Sequence, residues 1–143
     1  MDGGVGQVLL NDGAGGLEAV HPRQSGVVVP GDGKSLGICD LNADGRPDLI
    51  FGRNNAAVAT CVRAGGGEPL ALRLAGSQIG ALVSIGNEVR ELAAGSGYSS
   101  QTEPVLYFSV SEESRTATVR WANGEVSEHE VEAGATVLTI KRP

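Results

Sequence analysis

Leu70, Leu72 and Leu74 alternate at period two, and so do Ala117, Val119 and Trp121 with Thr118 and Arg120 between them. Period two is the repeat of an extended strand, whose successive side chains point to opposite faces; a helix repeats at 3.6. A strand with one apolar and one wet face buries the first against a second layer, so the pattern demands packed sheets. Asn123-Gly124 follows the second alternation and predicts a type I′ hairpin turn, with Glu125-Val126 starting the return strand. Val126 and Val131 are an odd number apart, so both face inward only if a bulge or break separates them. Ile79 to Ile85, Val89 to Leu92, Val105 to Val110 and Val137-Leu138-Thr139-Ile140 supply the other strands. About seven short strands at this turn spacing predict a small β-sandwich.

The earlier part of the chain has sparser apolar runs. Val8-Leu9-Leu10 leads into Asn11-Asp12-Gly13-Ala14-Gly15-Gly16-Leu17, which reads as a hairpin. Val27-Val28-Val29 reads as a short strand closed by Pro30-Gly31-Asp32-Gly33. Ala64-Gly65-Gly66-Gly67-Glu68-Pro69 reads as a joint, which divides the chain into units at 1–65 and 66–143. The 22 glycines, scarce aromatics and Val/Leu/Ile/Ala-dominated apolar set suit an all-β chain with many tight turns. A formal net charge of −6 opposes nucleic-acid binding. No apolar run approaches the eighteen or so residues that span a bilayer. Met1-Asp2-Gly3-Gly4-Val5-Gly6 lacks the basic start and apolar core of a secretory leader, so Met1 reads as the start of a fragment.

Between two of these apolar runs lies Asp40-Leu41-Asn42-Ala43-Asp44-Gly45-Arg46-Pro47-Asp48. Oxygen-bearing side chains fall at the first, third, fifth and ninth positions, with a glycine that permits a sharp turn. Hard cations such as calcium take about six to eight oxygen ligands, and such a loop presents several at once. Asp40, Asn42, Asp44 and Asp48 would ligate Ca2+ by side chain and Arg46 by its carbonyl. An EF-hand is excluded by Phe51 at the twelfth position, where a bidentate glutamate is needed. The flanks Leu36-Gly37-Ile38-Cys39 and Leu49-Ile50-Phe51-Gly52 are strand-forming, not helical. A strand-loop-strand calcium site follows. Cys39 and Cys61 are open between a disulfide stapling two strands and two buried thiols.

Two family resemblances rest on these residues. Asp40-x-Asn42-x-Asp44-Gly45-x-Pro47-Asp48-Leu49, preceded by Leu10-Asn11-Asp12-Gly13-x-Gly15, resembles an FG-GAP/VCBS repeat, a blade of calcium-binding β-propellers. The second half is similar to an ASPIC/UnbV domain through Ile79-Gly80-Ala81, Val89-Arg90-Glu91-x-x-Ala94-Gly95-Ser96-Gly97-Tyr98-x-Ser100-Gln101, Glu103-Pro104-Val105-x-x-Phe108 and Val119-x-Trp121-x-x-Gly124. It departs from that family at Ser109, Ser111 and Ala122, where glycines and a proline are usual. The pairing is similar to the C-terminal part of cartilage acidic protein-like proteins. It implies a partial propeller blade followed by a sandwich, cut from a longer extracellular protein. The resemblance also implies a non-enzymatic interaction or adhesion module, with structural calcium and a protein or glycan partner at a cell surface or matrix.

Other motifs weigh less. Gly31-Asp32-Gly33-Lys34-Ser35 holds the end of a phosphate-binding loop, but Val28 stands where the pattern needs glycine, so it reads as a polar turn. His129 between Glu128 and Glu130 reads as a solvated edge before a metal patch, and His21 as a loop residue. Asp12 reads as a turn former before a second cation loop. Gly95 and Gly97 read as positions of positive φ or close approach. Tyr98 and Trp121 could stack on a sugar, the basis of an alternative carbohydrate-binding reading; core packing is the stronger role. An enzyme fragment using a loop-held cation to activate water lacks any convergent base or nucleophile.

Overall fold

The computed structural model describes residues 4–76, 78–95, 97 and 100–143. Its first part holds β1 (Val8–Asn11) and β2 (Leu17–Val20), a one-turn helix α1 (Pro22–Ser25), and β3 (Gly33–Cys39), β4 (Asp48–Arg53) and β5 (Ala59–Cys61). The second part holds β6 (Glu68–Leu74), β7 (Leu82–Ile85), β8 (Glu88–Glu91), β9 (Val105–Val110), β10 (Thr116–Arg120), β11 (Val126–Glu130) and β12 (Val137–Ile140).

The seven strands of the second part form two sheets, ordered β11-β10-β7-β8 and β12-β6-β9. All pairings are antiparallel except β12 with β6, which run parallel from Val137↔Ala71 to Ile140↔Leu74. The alternating residues meet between the sheets: Leu70, Leu72, Val83 and Val119 are 0% exposed, with Trp121, Phe108, Val131 and Ile140 packed around them. This is the all-β sandwich that the period-two pattern demands. Gly80, at φ 85, turns the chain before the sheet, so the strand expected from Ile79 starts only at Leu82.

The β10–β11 turn differs from expectation. Trp121 N–H donates to Glu125 O at 2.8 Å and Gly124 N–H to Trp121 O at 2.8 Å. Gly124 has φ 91 while Asn123 has no positive φ. This is a type I turn followed by a left-handed glycine bulge; the three residues inside the closing pair exceed the two that a type I′ turn spans. The odd spacing of Val126 and Val131 resolves without a bulge between them: Val126 is 61% exposed and Val131 is buried.

The first part has little core. β1 and β2 form a hairpin whose turn is held by Asp12 Oδ1, which accepts from Ala14 N–H at 2.8 Å and Gly16 N–H at 2.9 Å. Those amides, Ala14 first, hold the Asp12 carboxyl below its ordinary range. Val27 and Val29 are buried and Val28 exposed, as in a strand, but the segment joins no ladder. Val29 N–H donates to Val5 O at 2.7 Å and Gly31 N–H to Gly4 O at 3.2 Å, which tie it to the chain's start. β3, β4 and β5 make a three-stranded antiparallel meander with Leu36, Val58 and Val62 exposed around it.

The uneven core makes a direct prediction. Leu72→Ala should cost about 2–5 kcal/mol of unfolding free energy, whereas Leu36→Ala should cost under about 1 kcal/mol. Urea denaturation of both variants checks it.

Candidate metal centre

Residues 40–47 connect β3 to β4, whose ladder closes at Cys39↔Asp48. Once the strands bring the loop ends together, its own carboxylates organise it. Asp40 Oδ1 accepts from Asp44 N–H at 3.1 Å and Oδ2 from Gly45 N–H at 2.7 Å. Asp44 Oδ1 accepts from Arg46 N–H at 2.8 Å, and Oδ2 accepts from Asn42 Nδ2 at 3.1 Å. Asp48 is fully buried; Oδ2 accepts from Leu41 N–H at 2.9 Å and Oδ1 from Arg63 N–H at 2.8 Å. Ala43 (φ 59) and Gly45 (φ 80) provide the left-handed steps that wrap the loop around Asp40.

The five predicted ligand positions therefore share one tight loop. Among the described residues, however, no three Asp, Glu, His or Cys side chains are gathered as a metal-binding group. Each loop carboxylate oxygen takes one N–H and keeps lone-pair capacity, since an ionised carboxylate offers about four acceptor sites. The donor types fit a hard cation: three carboxylates, a side-chain amide and a main-chain carbonyl. Asn42 points its nitrogen at Asp44 and would have to turn its amide over to offer oxygen. The Arg46 guanidinium, 3.9 Å from Asp44 Oδ2, already places positive charge beside the loop.

Three contacts fasten this loop to the rest of the molecule, and the sequence pattern did not show them. Arg46 Nε donates to Gly65 O at 3.0 Å and Nη2 to Gly67 O at 3.3 Å. The side chain that sequence reading left idle thus clamps the joint. Asp40 N–H donates to Glu103 Oε1 at 3.1 Å. Glu103 also takes the Tyr107 hydroxyl and, at 3.3 Å, the Arg73 guanidinium on β6. Gly45 lies against β12's approach: a Cβ there would stand 2.7 Å from Thr136 O. Only the Glu103-Pro104 element of the family pattern hinted that position 103 matters. Nothing in local spacing placed it beside Asp40.

These groups crowd charge around their neighbours. Burial pushes the Tyr107 hydroxyl well above the usual phenol range, and its bond to Glu103 adds to the effect. Burial likewise raises the Cys39 thiol, helped by Glu103, Asp48 and Asp40. Cys39 and Cys61 are free thiols. Cys39 faces Asp48 and Cys61 faces Leu49, on opposite sides of β4. Two strand spacings, about 9–10 Å, separate their backbones, beyond the ~7 Å a disulfide tolerates.

The remaining sequence candidates have structural roles. His21 Nδ1 accepts from Arg23 N–H at 3.2 Å and caps α1. His129 Nε2 meets Ser127 Oγ at 2.9 Å, and Ser127 Oγ accepts from Trp121 Nε1 at 2.9 Å. Glu128 and Glu130 point away from His129, as strand alternation requires. Trp121 is buried and offers no ring face to a sugar; Tyr98 and Ser96 lie outside the described residues. Gly97 has the expected positive φ, 75, and Gly95 does not. Lys34 sits on β3 and pairs with Asp32 at 2.9 Å, with no helix after it to receive phosphate. Among the described residues no helix is long and apolar enough to cross a membrane.

The family model for ASPIC and UnbV matches residues 73–143, so this part of the sandwich is similar to an ASPIC/UnbV domain. The match begins near the end of β6 and runs to Pro143, taking in β7 to β12 and leaving Leu70 and Leu72 of the core before it. No curated protein matches the chain.

Gly45→Ala should destabilise the protein by about 1–3 kcal/mol, because the methyl meets Thr136 O and the backbone keeps a positive φ. Chemical denaturation checks it. The Tyr107 shift gives a pH prediction. A phenol raised on folding contributes stability that is complete below its unfolded value, about 10, and is lost as pH climbs above it. Stability of the native chain should fall more steeply above about pH 10 than that of Tyr107→Phe. Equal slopes in a pH series of melts would refute the half-buried Tyr107–Glu103 contact.

Proposed function

We propose that the chain is a non-enzymatic interaction module of an extracellular or cell-surface protein, in which structural calcium stabilises the Asp40–Asp48 loop. The observation that carries this reading is the loop's place in the fold. Asp40, Gly45, Arg46 and Asp48 reach Glu103, Thr136, the joint and Arg63 respectively. A cation neutralising Asp40, Asp44 and Asp48 would relieve their mutual repulsion and stiffen the loop that holds both halves. When bound, calcium would supply charge and ligand geometry only.

The FG-GAP/VCBS resemblance of residues 40–49 supports a blade assignment for the first part. The exposed Leu9, Leu10 and Leu17 of the β1–β2 hairpin, and Val58 before β5, accord with surfaces that other blades would cover. The partner is a protein or glycan of the cell surface or matrix. The buried Trp121 removes the main argument for sugar stacking and favours a protein.

Extracellular modules typically hold calcium at about 10⁻⁴–10⁻³ M, so millimolar calcium should add about 0.4–1.4 kcal/mol. A chain of this size should then melt about 1–5 °C higher in calcium than in chelator. Asp44→Ala should abolish the difference. A melt indifferent to chelator, with no calcium heat in calorimetry, would overturn the reading.

A further inference from the structure

Between the joint and the facing edges of β8 and β9 lies a cleft of about 570 Å³. Three consecutive runs of the chain line it: residues 65–67, 88–91 and 105–109. Among the described residues, β8 pairs only with β7, and β9 only with β6. Each edge strand turns alternate N–H and C=O groups away from its own sheet, toward the cleft. Such an edge accepts an extended chain by adding a strand, with main-chain bonds giving affinity and alternate side chains giving specificity.

The charge of the cleft runs against that of the protein. Arg46, Arg63 and Arg90 line it against Glu88 and Glu91, in a chain of net charge −6. Two of the three arginines are engaged. Arg46 clamps the joint carbonyls, and Arg90 pairs with Glu88 at 2.7 Å and lies 5.4 Å over the Phe108 ring. Arg63 is different. Its backbone N–H is fixed by buried Asp48, while its exposed guanidinium has no ion-pair or hydrogen-bond partner among the described residues. Val89, 64% exposed, offers an apolar contact in the same cleft.

We infer that this cleft binds an extended peptide segment of a partner protein, with alternating apolar and carboxylate side chains, whose carboxylate is taken by Arg63. A guanidinium forms two parallel charge-assisted bonds to a carboxylate, which fixes direction as well as binding. The segment adds to a free strand edge, its apolar residues face Val89, and its acidic end lies at the joint, away from Glu88 and Glu91. A nucleic acid is disfavoured by those two glutamates and by the net charge. The inference names a surface and partner chemistry, and it does not require that the loop bind calcium.

Fluorescence polarisation with a labelled peptide of alternating valine and glutamate tests it on the whole chain. Binding should weaken with added salt. It should fall about tenfold or more when glutamine replaces glutamate, and by a similar factor in Arg63→Gln. Methylating alternate backbone nitrogens of the peptide should abolish binding on any variant, which separates strand addition from charge attraction alone. The melting temperature of Arg63→Gln should match that of the native chain, since only the exposed side chain changes; if it drops, Glu91→Arg, expected to tighten binding, decides the matter. No binding of the glutamate peptide, equal binding of its glutamine or methylated forms, or capture of a sulfated oligosaccharide in its place would overturn the proposal.

Discussion

The buried carboxylate of Asp48 is the constraint on which the position of the loop and of the chain entering the joint depends. It is 0% exposed and is satisfied by Leu41 N–H from the loop and Arg63 N–H from the segment after β5 that leads into the joint. A buried ion without its donors costs several kcal/mol, so the loop and the start of the joint must sit where they do whenever β4 is formed. From that point the other fastenings follow in order. Arg46 reaches the joint carbonyls, Gly45 reaches Thr136, and Asp40 reaches Glu103.

Stability and connection are divided between the halves. Nearly all the buried apolar surface lies between the two sheets of the sandwich. The first part, with Val27 and Val29 as its buried hydrophobics, relies on hydrogen bonds and on contact with its neighbour. With little core beneath the meander, a loop that stiffens with a cation would matter here.

Much of the sandwich was legible in the sequence because strand alternation is a local signal. Leu70, Leu72 and Leu74 and the Ala117–Trp121 run face inward as their spacing requires. Where local signals compete, the reading slipped. Asn123-Gly124 fits a type I′ turn in isolation, yet the closing pair Trp121–Glu125 leaves room for a bulge. Three adjacent valines fit a strand, yet Val27–Val29 finds no neighbour to pair with. The loop's five positions were legible from their spacing, but their connections were not. Glu103 is distant in sequence, and a long arginine at an assumed carbonyl position gives no sign that its side chain reaches the joint.

A calcium-stiffened Asp40–Asp48 loop that fastens the first part to the sandwich can be read from hydrogen exchange at the amides of Asp40, Asp44, Gly45, Arg46 and Arg63, with and without millimolar calcium. Calcium should slow exchange at these amides together, including Arg63 and Asp40, which donate to Asp48 and Glu103. Exchange that is the same in calcium and in chelator would contradict it.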